Sequence, residues 1–284
     1  MKTRQTAHEL EIAAASARPP RDQRVPAPKG EALAMLVRRG LQPRTTPLDL
    51  PFPAGLDEAA AERLAGKLRH YAFRLFLRGA LKPDGDFVPD DVTDYVSASQ
   101  SRAMAEAMVG LGLAVQGPRG QYRLVRRVSS FGPTLEWYVA RELERRYGFD
   151  VAAGVKFHAR GVGGDLDVVA AAEGRLVYLE LKSSPPKHLS EGEIASFFDR
   201  VRLLRPDITL FAVDTALRLS DKVVPMLAGE LSRRRDGEVS APRRVERELW
   251  ALTPHVYAVN SKPDLVANIG RAVAEGLFAL APPL

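Results

Sequence analysis

Gly163-Gly164-Asp165-Leu166-Asp167-Val168-Val169, a turn at Glu173-Gly174, and then Leu176-Val177-Tyr178-Leu179-Glu180-Leu181-Lys182 form the stretch whose reading decides the fold. Alternate side chains of a strand share a face, so Asp165 and Asp167 point the same way, as do Glu180 and Lys182. The Cα atoms of each such pair lie roughly 7 Å apart by strand rise. Apolar neighbours (Val168, Val169, Val177, Leu179, Leu181) surround the charges, and the intervening turn is short enough for a hairpin. If the strands pair, Asp167 stands beside Glu180 with Lys182 one step along. Convergent carboxylates repel unless a hard divalent cation sits on their oxygens. A lysine next to such a cation suits phosphodiester hydrolysis, where it orients water or offsets the charge that builds on phosphorus. The plain alternative is a half-exposed hairpin with ordinary solvent-facing charges.

Outward from this stretch the order is α/β. A helix is expected over about Pro133–Tyr147, with Pro133 in its first turn and Gly148 at its end. Strands are expected at Val151–Phe157, Asp165–Ala171 and Leu176–Leu181, then a helix near Ser190–Leu204 and a strand at Ile208–Val213. A helix at Ser220–Arg234, a strand at Val256–Val259 and a helix near Leu265–Phe278 complete the reading.

Asp167, twelve intervening residues and Glu180-Leu181-Lys182 resemble the signature of the PD-(D/E)xK nuclease superfamily. Gly132-Pro133-Thr134-Leu135-Glu136-Trp137 is similar to the leading motif of some members, where a Leu-Glu pair opens the first core helix. The resemblance covers about residues 131–216. It implies a restriction-endonuclease-like core, a central mixed sheet flanked by helices, with an α-β-β-β-α-β order. It also implies Asp167, Glu180 and the Leu181 carbonyl as ligands for Mg²⁺ or Mn²⁺, with Lys182 as the catalytic lysine. Glu136 completes the acidic set directly or through a water, with Glu142 as its rival and Asp165 as a secondary candidate. Some relatives carry a Gln and a Tyr in the helix after the lysine. Ser190-Glu-Gly-Glu-Ile-Ala-Ser-Phe-Phe-Asp-Arg200 has neither, which points to an endonuclease rather than an exonuclease.

Ahead of this core, residues 31–130 read as a smaller winged helix-turn-helix-like domain. A long apolar stripe from Leu64 to Phe76 is ended by Gly79, a short helix follows at Asp90–Val96, and Ser97 or Ser99 caps a third helix carrying Met104, Met108 and Leu111. The strand-like runs at 113–115 and 122–125 make the wing. Its arginines (Arg119, Arg123, Arg126, Arg127) suit phosphate contact. The third helix is a poor base reader, since Glu106 opposes Arg102 and Gln100. A module used only for dimerisation or docking is the other reading.

The chain has 284 residues, a net charge of +6 and no cysteine. The last fact excludes disulfides, a thiolate nucleophile, cysteine-ligated zinc and iron–sulfur clusters. Residues 1–30 carry half of the net charge, are rich in Ala and Pro and lack aromatics, so they read as a flexible basic arm. Glu9 and Glu11 precede its short Ala-rich run, which argues against a secretory peptide. No stretch approaches 18 uninterrupted apolar residues, so a cytoplasmic location without membrane contact is expected. His158 and Arg160 flank the site in sequence and are weak candidates for backbone contact. Gly161-Val-Gly-Gly leads into a strand and so fails as a dinucleotide fingerprint.

The domains are then 1–30, 31–130 and a nuclease-like 131–284. The activity implied is cleavage of nucleic acid, DNA in preference to RNA, and a homodimer would suit the cutting of two strands. The alternative from another class is a binding or scaffolding protein that keeps the fold without catalysis.

Overall fold

Residues 165–182 fold back on themselves as the sequence requires. Both faces of the hairpin are apolar in its body, so it can lie only in the middle of a covered sheet. The computed structural model describes residues 29–53, 55–157, 165–234 and 240–281. In chain order these form α1 (Glu31–Arg38), β1 (Arg44–Thr45), α2 (Glu58–Leu68), α3 (Tyr71–Ala80), α4 (Ala98–Gly110), β2 (Ala114–Gln116) and β3 (Tyr122–Leu124). The α/β part continues with α5 (Gly132–Tyr147), β4 (Asp150–Lys156), β5 (Asp165–Ala172), β6 (Arg175–Lys182), α6 (Glu191–Leu204) and β7 (Ile208–Val213). It ends with α7 (Val223–Arg234), β8 (Arg243–Glu246), β9 (Leu249–Thr253), β10 (Val256–Asn260) and α8 (Leu265–Leu280). No described helix is long and apolar enough to cross a membrane.

The large sheet is mixed, in the order β1-β4-β5-β6-β7-β10-β9-β8. The β4–β5 and β5–β6 pairs are antiparallel, while β6–β7 and β7–β10 are parallel. The parallel steps need crossovers, which α6 and the α7–β9 segment supply. Side-chain alternation splits the core in two. Val168, Ala170, Val177 and Leu179 face α5, α8 and the helices of residues 58–110. Val169, Ala171, Leu176 and Tyr178 face α1, α6 and α7. On the second face Phe197 lies edge-on to Phe211 and beside Tyr178, a packing contribution of roughly 2–3 kcal/mol for a buried Phe.

Helix ends follow their local chemistry. α5 has Pro133 in its first turn and ends on Gly148 in the left-handed region. Ser97 caps α4 and Ser190 caps α6, each in a reciprocal box with Gln100 or Glu193.

The helical part departs from expectation. The stripe from Leu64 to Phe76 is two helices, because its buried row 64-65-68 restarts one residue out of phase at 73-76-77-80, and His70 between them is extended. Gly79 does not stop α3. It admits the backbone of Val92, whose oxygen would lie 2.4 Å from a Cβ at that position. The helix expected at Asp90–Val96 is a single 3₁₀ turn at Pro89–Asp91, as its aspartates and β-branched residues favour non-helical backbone. β2 and β3 pair as a short hairpin, and Phe87 bridges to Tyr122. Residues 31–45, grouped by sequence with these helices, instead pack on the large sheet. α1 buries Ala32, Met35 and Leu36 there, and β1 pairs with β4. Strands β8 and β9 had no sequence expectation. Of the basic arm, residues 1–28 lie outside the described residues, as do His158, Arg160 and the Gly161–Gly164 run.

Two contacts tie the helices to the sheet where β6 and β7 end. Arg74 of α3, 1% exposed, holds Asp214 just after β7 at 2.8 Å and also reaches Ser261 and the Leu68 and Arg69 carbonyls. Arg78 donates to the carbonyl of Ser183, the residue after Lys182.

Candidate active site

Glu173 and Gly174 both have positive φ, 49° and 72°, the two-residue turn whose twist matches a hairpin. From it the β5–β6 ladder runs from Ala172↔Arg175 to Val168↔Leu179 and stops. The next pair in register is Asp167 with Glu180. There the strands part, and the Asp167 carboxylate replaces the ladder by accepting the Leu181 N–H at 2.6 Å. β6 stays paired with β7 as far as Lys182↔Val213. The parted end opens into a cleft of about 670 Å³ lined by Asp165, Asp167, Glu180, Lys182, Glu193 and Arg200, with Ser190, Gly192 and Ser196 at the start of α6.

Glu180 is 3% exposed and heavily engaged. It accepts from the Tyr178 hydroxyl at 2.5 Å and from Arg200 at 2.7 Å, and Lys182 Nζ stands 3.0 Å from its other oxygen. Arg200 also donates to the Tyr178 oxygen at 2.8 Å. Lys182 bridges to Glu193 at 3.2 Å. Burial works against the lysine's charge, but Glu180 and Glu193 outweigh it and raise its pKa above the ordinary range. Asp167 is pushed well above the usual carboxylate range by burial first, and then by Glu180 and Glu136.

Glu136 arrives from α5, on the other layer. Burial, then Asp165 and Glu180, push it up to about 7. It does not line the cleft. Asp165 is exposed and pairs with Lys156 at 3.2 Å. The rival Glu142 belongs elsewhere, since it is 2% exposed and neutralised by Arg145 and Arg146 on its own helix. Among the described residues, no three Asp, Glu or His side chains stand arranged to hold a metal ion. The reason is visible in the partners: Arg200, Tyr178 and Lys182 engage Glu180, and a backbone amide holds Asp167. Leu181 points its N–H at β5, and the N–H and C=O of one strand residue face the same neighbour, so its carbonyl is directed toward the same gap.

The wing arginines do not form a free basic patch. Arg123 pairs with Asp86, Arg126 with Asp49, Arg127 with Asp84, and Arg102 on α4 with Asp90, all at exposed positions. Arg119 sits in the left-handed region at the hairpin turn. His188 occupies a 3₁₀ turn bordering a small pocket beside Lys182, and His255 meets the Asp207 carbonyl. Arg233 and Arg234 are taken by Glu230 and Asp199.

Sequence reasoning missed Tyr178, Glu193 and Arg200. A signal for Arg200 was present: it falls on the same helical row as Phe197, Val201 and Leu204, a charge on an apolar stripe. Glu193 was readable as the partner of the Ser190 cap, though its second role toward Lys182 was not.

No protein-family profile matches this chain, and no curated protein does. Among solved structures, the protein VC1899 from Vibrio cholerae superposes with a TM-score of 0.51 at 13% identity, over 89% of this chain and 64% of its own length. Can2 from Sulfobacillus thermosulfidooxidans, solved in complex with cyclic tetra-adenylate, superposes with a TM-score of 0.47 at 12% identity, over 84% of this chain and 59% of its own. The chain spans less than two thirds of either structure, and what it shares with VC1899 is a fold.

Proposed function

We propose that this chain is a nuclease that hydrolyses phosphodiester bonds, of DNA in preference to RNA, with Mg²⁺ or Mn²⁺. The observation that carries the reading is the parted end of β5 and β6, where Asp167 and Glu180 meet beside Lys182 within an α-β-β-β-α-β order. Charge supports a hard cation here, since the acids outnumber what neighbouring cations balance and burial with neighbouring acids raises Asp167 and Glu136; their side chains would have to draw together around it. Asp167, Glu180 and the Leu181 carbonyl would hold the ion, with Glu136 completing the acidic set. Bound there, it supplies Lewis-acid activation of water and of the phosphoryl group.

The chain's own residues do the rest. Glu180 and Glu193 hold the Lys182 ammonium at the cleft, where it orients the attacking water or offsets charge developing on a phosphoryl oxygen. Arg200 and Tyr178 fix the Glu180 carboxylate from beneath. Residues 58–124, with their helices, bridge strand and hairpin, form a winged-helix-like module that presents nucleic acid, and pairing of two copies would serve double-strand cutting.

The test is cleavage of plasmid, single-stranded and branched DNA and RNA in Mg²⁺, Mn²⁺ or EDTA. Divalent-dependent cutting that Asp167→Ala and Lys182→Ala abolish is expected. Cutting that survives in either variant removes the site assignment.

A second reading, a nuclease-like fold used for binding or assembly, is favoured by one observation. Arg200, Tyr178 and Lys182 already satisfy Glu180, leaving it little capacity for a metal. It predicts salt-sensitive retention of nucleic acid with no cutting under any divalent ion.

A further inference from the structure

Around the hairpin of the helical module most exposed cations are balanced by acids, with Arg119 outside the ion pairs among the described residues. Arg102, Arg123, Arg126 and Arg127 each reach an aspartate. Arg63, Lys67 and His70 instead line a groove of about 480 Å³ between α2 and the end of α4, floored by Gly66, Ala107 and Gly110. Glu58 and Glu62 pair with Arg141, and Asp264 with Arg69 and Arg146, while Glu106 of α4 is exposed and lies outside the lining. No acidic side chain lines the groove.

From this we infer that the α2–α4 groove, and not the wing, is the surface of this module that grips the sugar–phosphate backbone of nucleic acid. Residues 63, 66 and 67 recur at helical spacing and share one face of α2, and His70 follows just past its end. Phosphates would meet Arg63 and Lys67, while sugars lie over the small floor. At Gly66 and Gly110 nothing lies within 4 Å of where a Cβ would be, so a ligand backbone can approach closely. The groove is also joined to the cleft through α3. His70 precedes α3, and Arg78, roughly 12 Å further along that helix by its rise, donates to the carbonyl next to Lys182. The inference rests on the nuclease reading for the purpose of the contact, not for its existence.

The experiment is fluorescence anisotropy of a labelled 30-base-pair duplex with full-length protein in EDTA, across a salt series. Arg63→Gln/Lys67→Gln, both at exposed helix positions, is compared with Asp86→Asn/Arg123→Gln, which removes a balanced wing pair at constant net charge. Loss of two phosphate contacts should make the log–log salt slope shallower by about 2 and weaken binding on the order of 50-fold at 0.1 M salt. The wing variant should stay within about twofold of the parent, in keeping with its balanced charge. Unchanged affinity in the groove variant, or an equal loss in the wing variant, overturns the inference. So does displacement by poly-glutamate as readily as by unlabelled duplex, because the groove would then accept any polyanion, acidic peptides included. Cleavage assays on the same proteins separate the two readings. A chain that cuts nothing yet loses binding through Arg63 and Lys67 keeps the groove and loses the nuclease. A chain that cuts while groove-variant binding is unchanged keeps the nuclease and loses the groove.

Discussion

Two buried ionic clusters lie within a few residues of each other and are built on opposite principles. Around Arg74 every charge is matched. The guanidinium takes both Asp214 oxygens, Ser261 donates to the same carboxylate at 2.6 Å, and the Leu68 and Arg69 carbonyls absorb the remaining donors. Around Lys182 the acids exceed the cations, and burial and then neighbouring acids drive Glu136 (Asp165, Glu180) and Asp167 (Glu180, Glu136) upward. A matched cluster can serve as a fastener between helices and sheet. An unmatched one costs stability and persists where charge is to be received, which is why strongly perturbed acids mark functional sites.

Breaking the matched cluster should have the largest effect. Asp214→Ala leaves a buried guanidinium without its anion, at about 3–5 kcal/mol, read by chemical denaturation. Arg74→Met/Asp214→Leu removes both charges and should recover most of that loss. If the single variant costs under 1 kcal/mol, Arg74 is no fastener.

At the unmatched cluster, Lys182→Met should leave folding within about 1 kcal/mol while lowering cleavage about 10²- to 10³-fold. A variant that unfolds before it loses activity would place Lys182 with the structural charges instead.

The contrast sharpens with pH. Glu136 titrates near 7, above its ordinary value, so the folded chain holds that proton more tightly than the unfolded one. Its contribution to stability is therefore present below the ordinary glutamate range and is lost as pH rises through about 7. Glu136→Gln should accordingly stabilise the metal-free protein by about 1–2 kcal/mol at pH 8, after allowance for partial exposure, and by nearly nothing at pH 5. Denaturant unfolding in EDTA at the two pH values reads this directly, and equal effects at both would contradict it.

The smallest change is expected at the wing. Asp86→Asn/Arg123→Gln removes a pair whose arginine side chain is 67% exposed and should shift stability by under about 0.5 kcal/mol.

The strands that carry the site were legible because their cues are short-range. Alternation through Asp165–Ala171 and Leu176–Leu181 gave strands within a residue or two of β5 and β6, and Glu173-Gly174 gave their turn. The same alternation placed Asp167 beside Glu180. The helical region was less legible because a tertiary contact rewrote its local cue: Gly79 read as a terminator, but its missing Cβ admits Val92. Strands β8 and β9 escaped notice because Arg243–Glu246 carries no apolar alternation, and β9 is held by pairing with β10.

The sequence by itself determined which side chains share a face and where chain direction reverses. Strand period, capping boxes and positive-φ turns are settled by residues only a few positions apart. Tertiary structure alone decided which charges would be neutralised. Arg74 finds Asp214 across 140 positions, Arg200 reaches Glu180 from the next helix, and Arg123, Arg126 and Arg127 each meet an aspartate from another segment. An ionic group's partner depends on which surfaces the folded layers bring within a few ångströms, and no local periodicity carries that information.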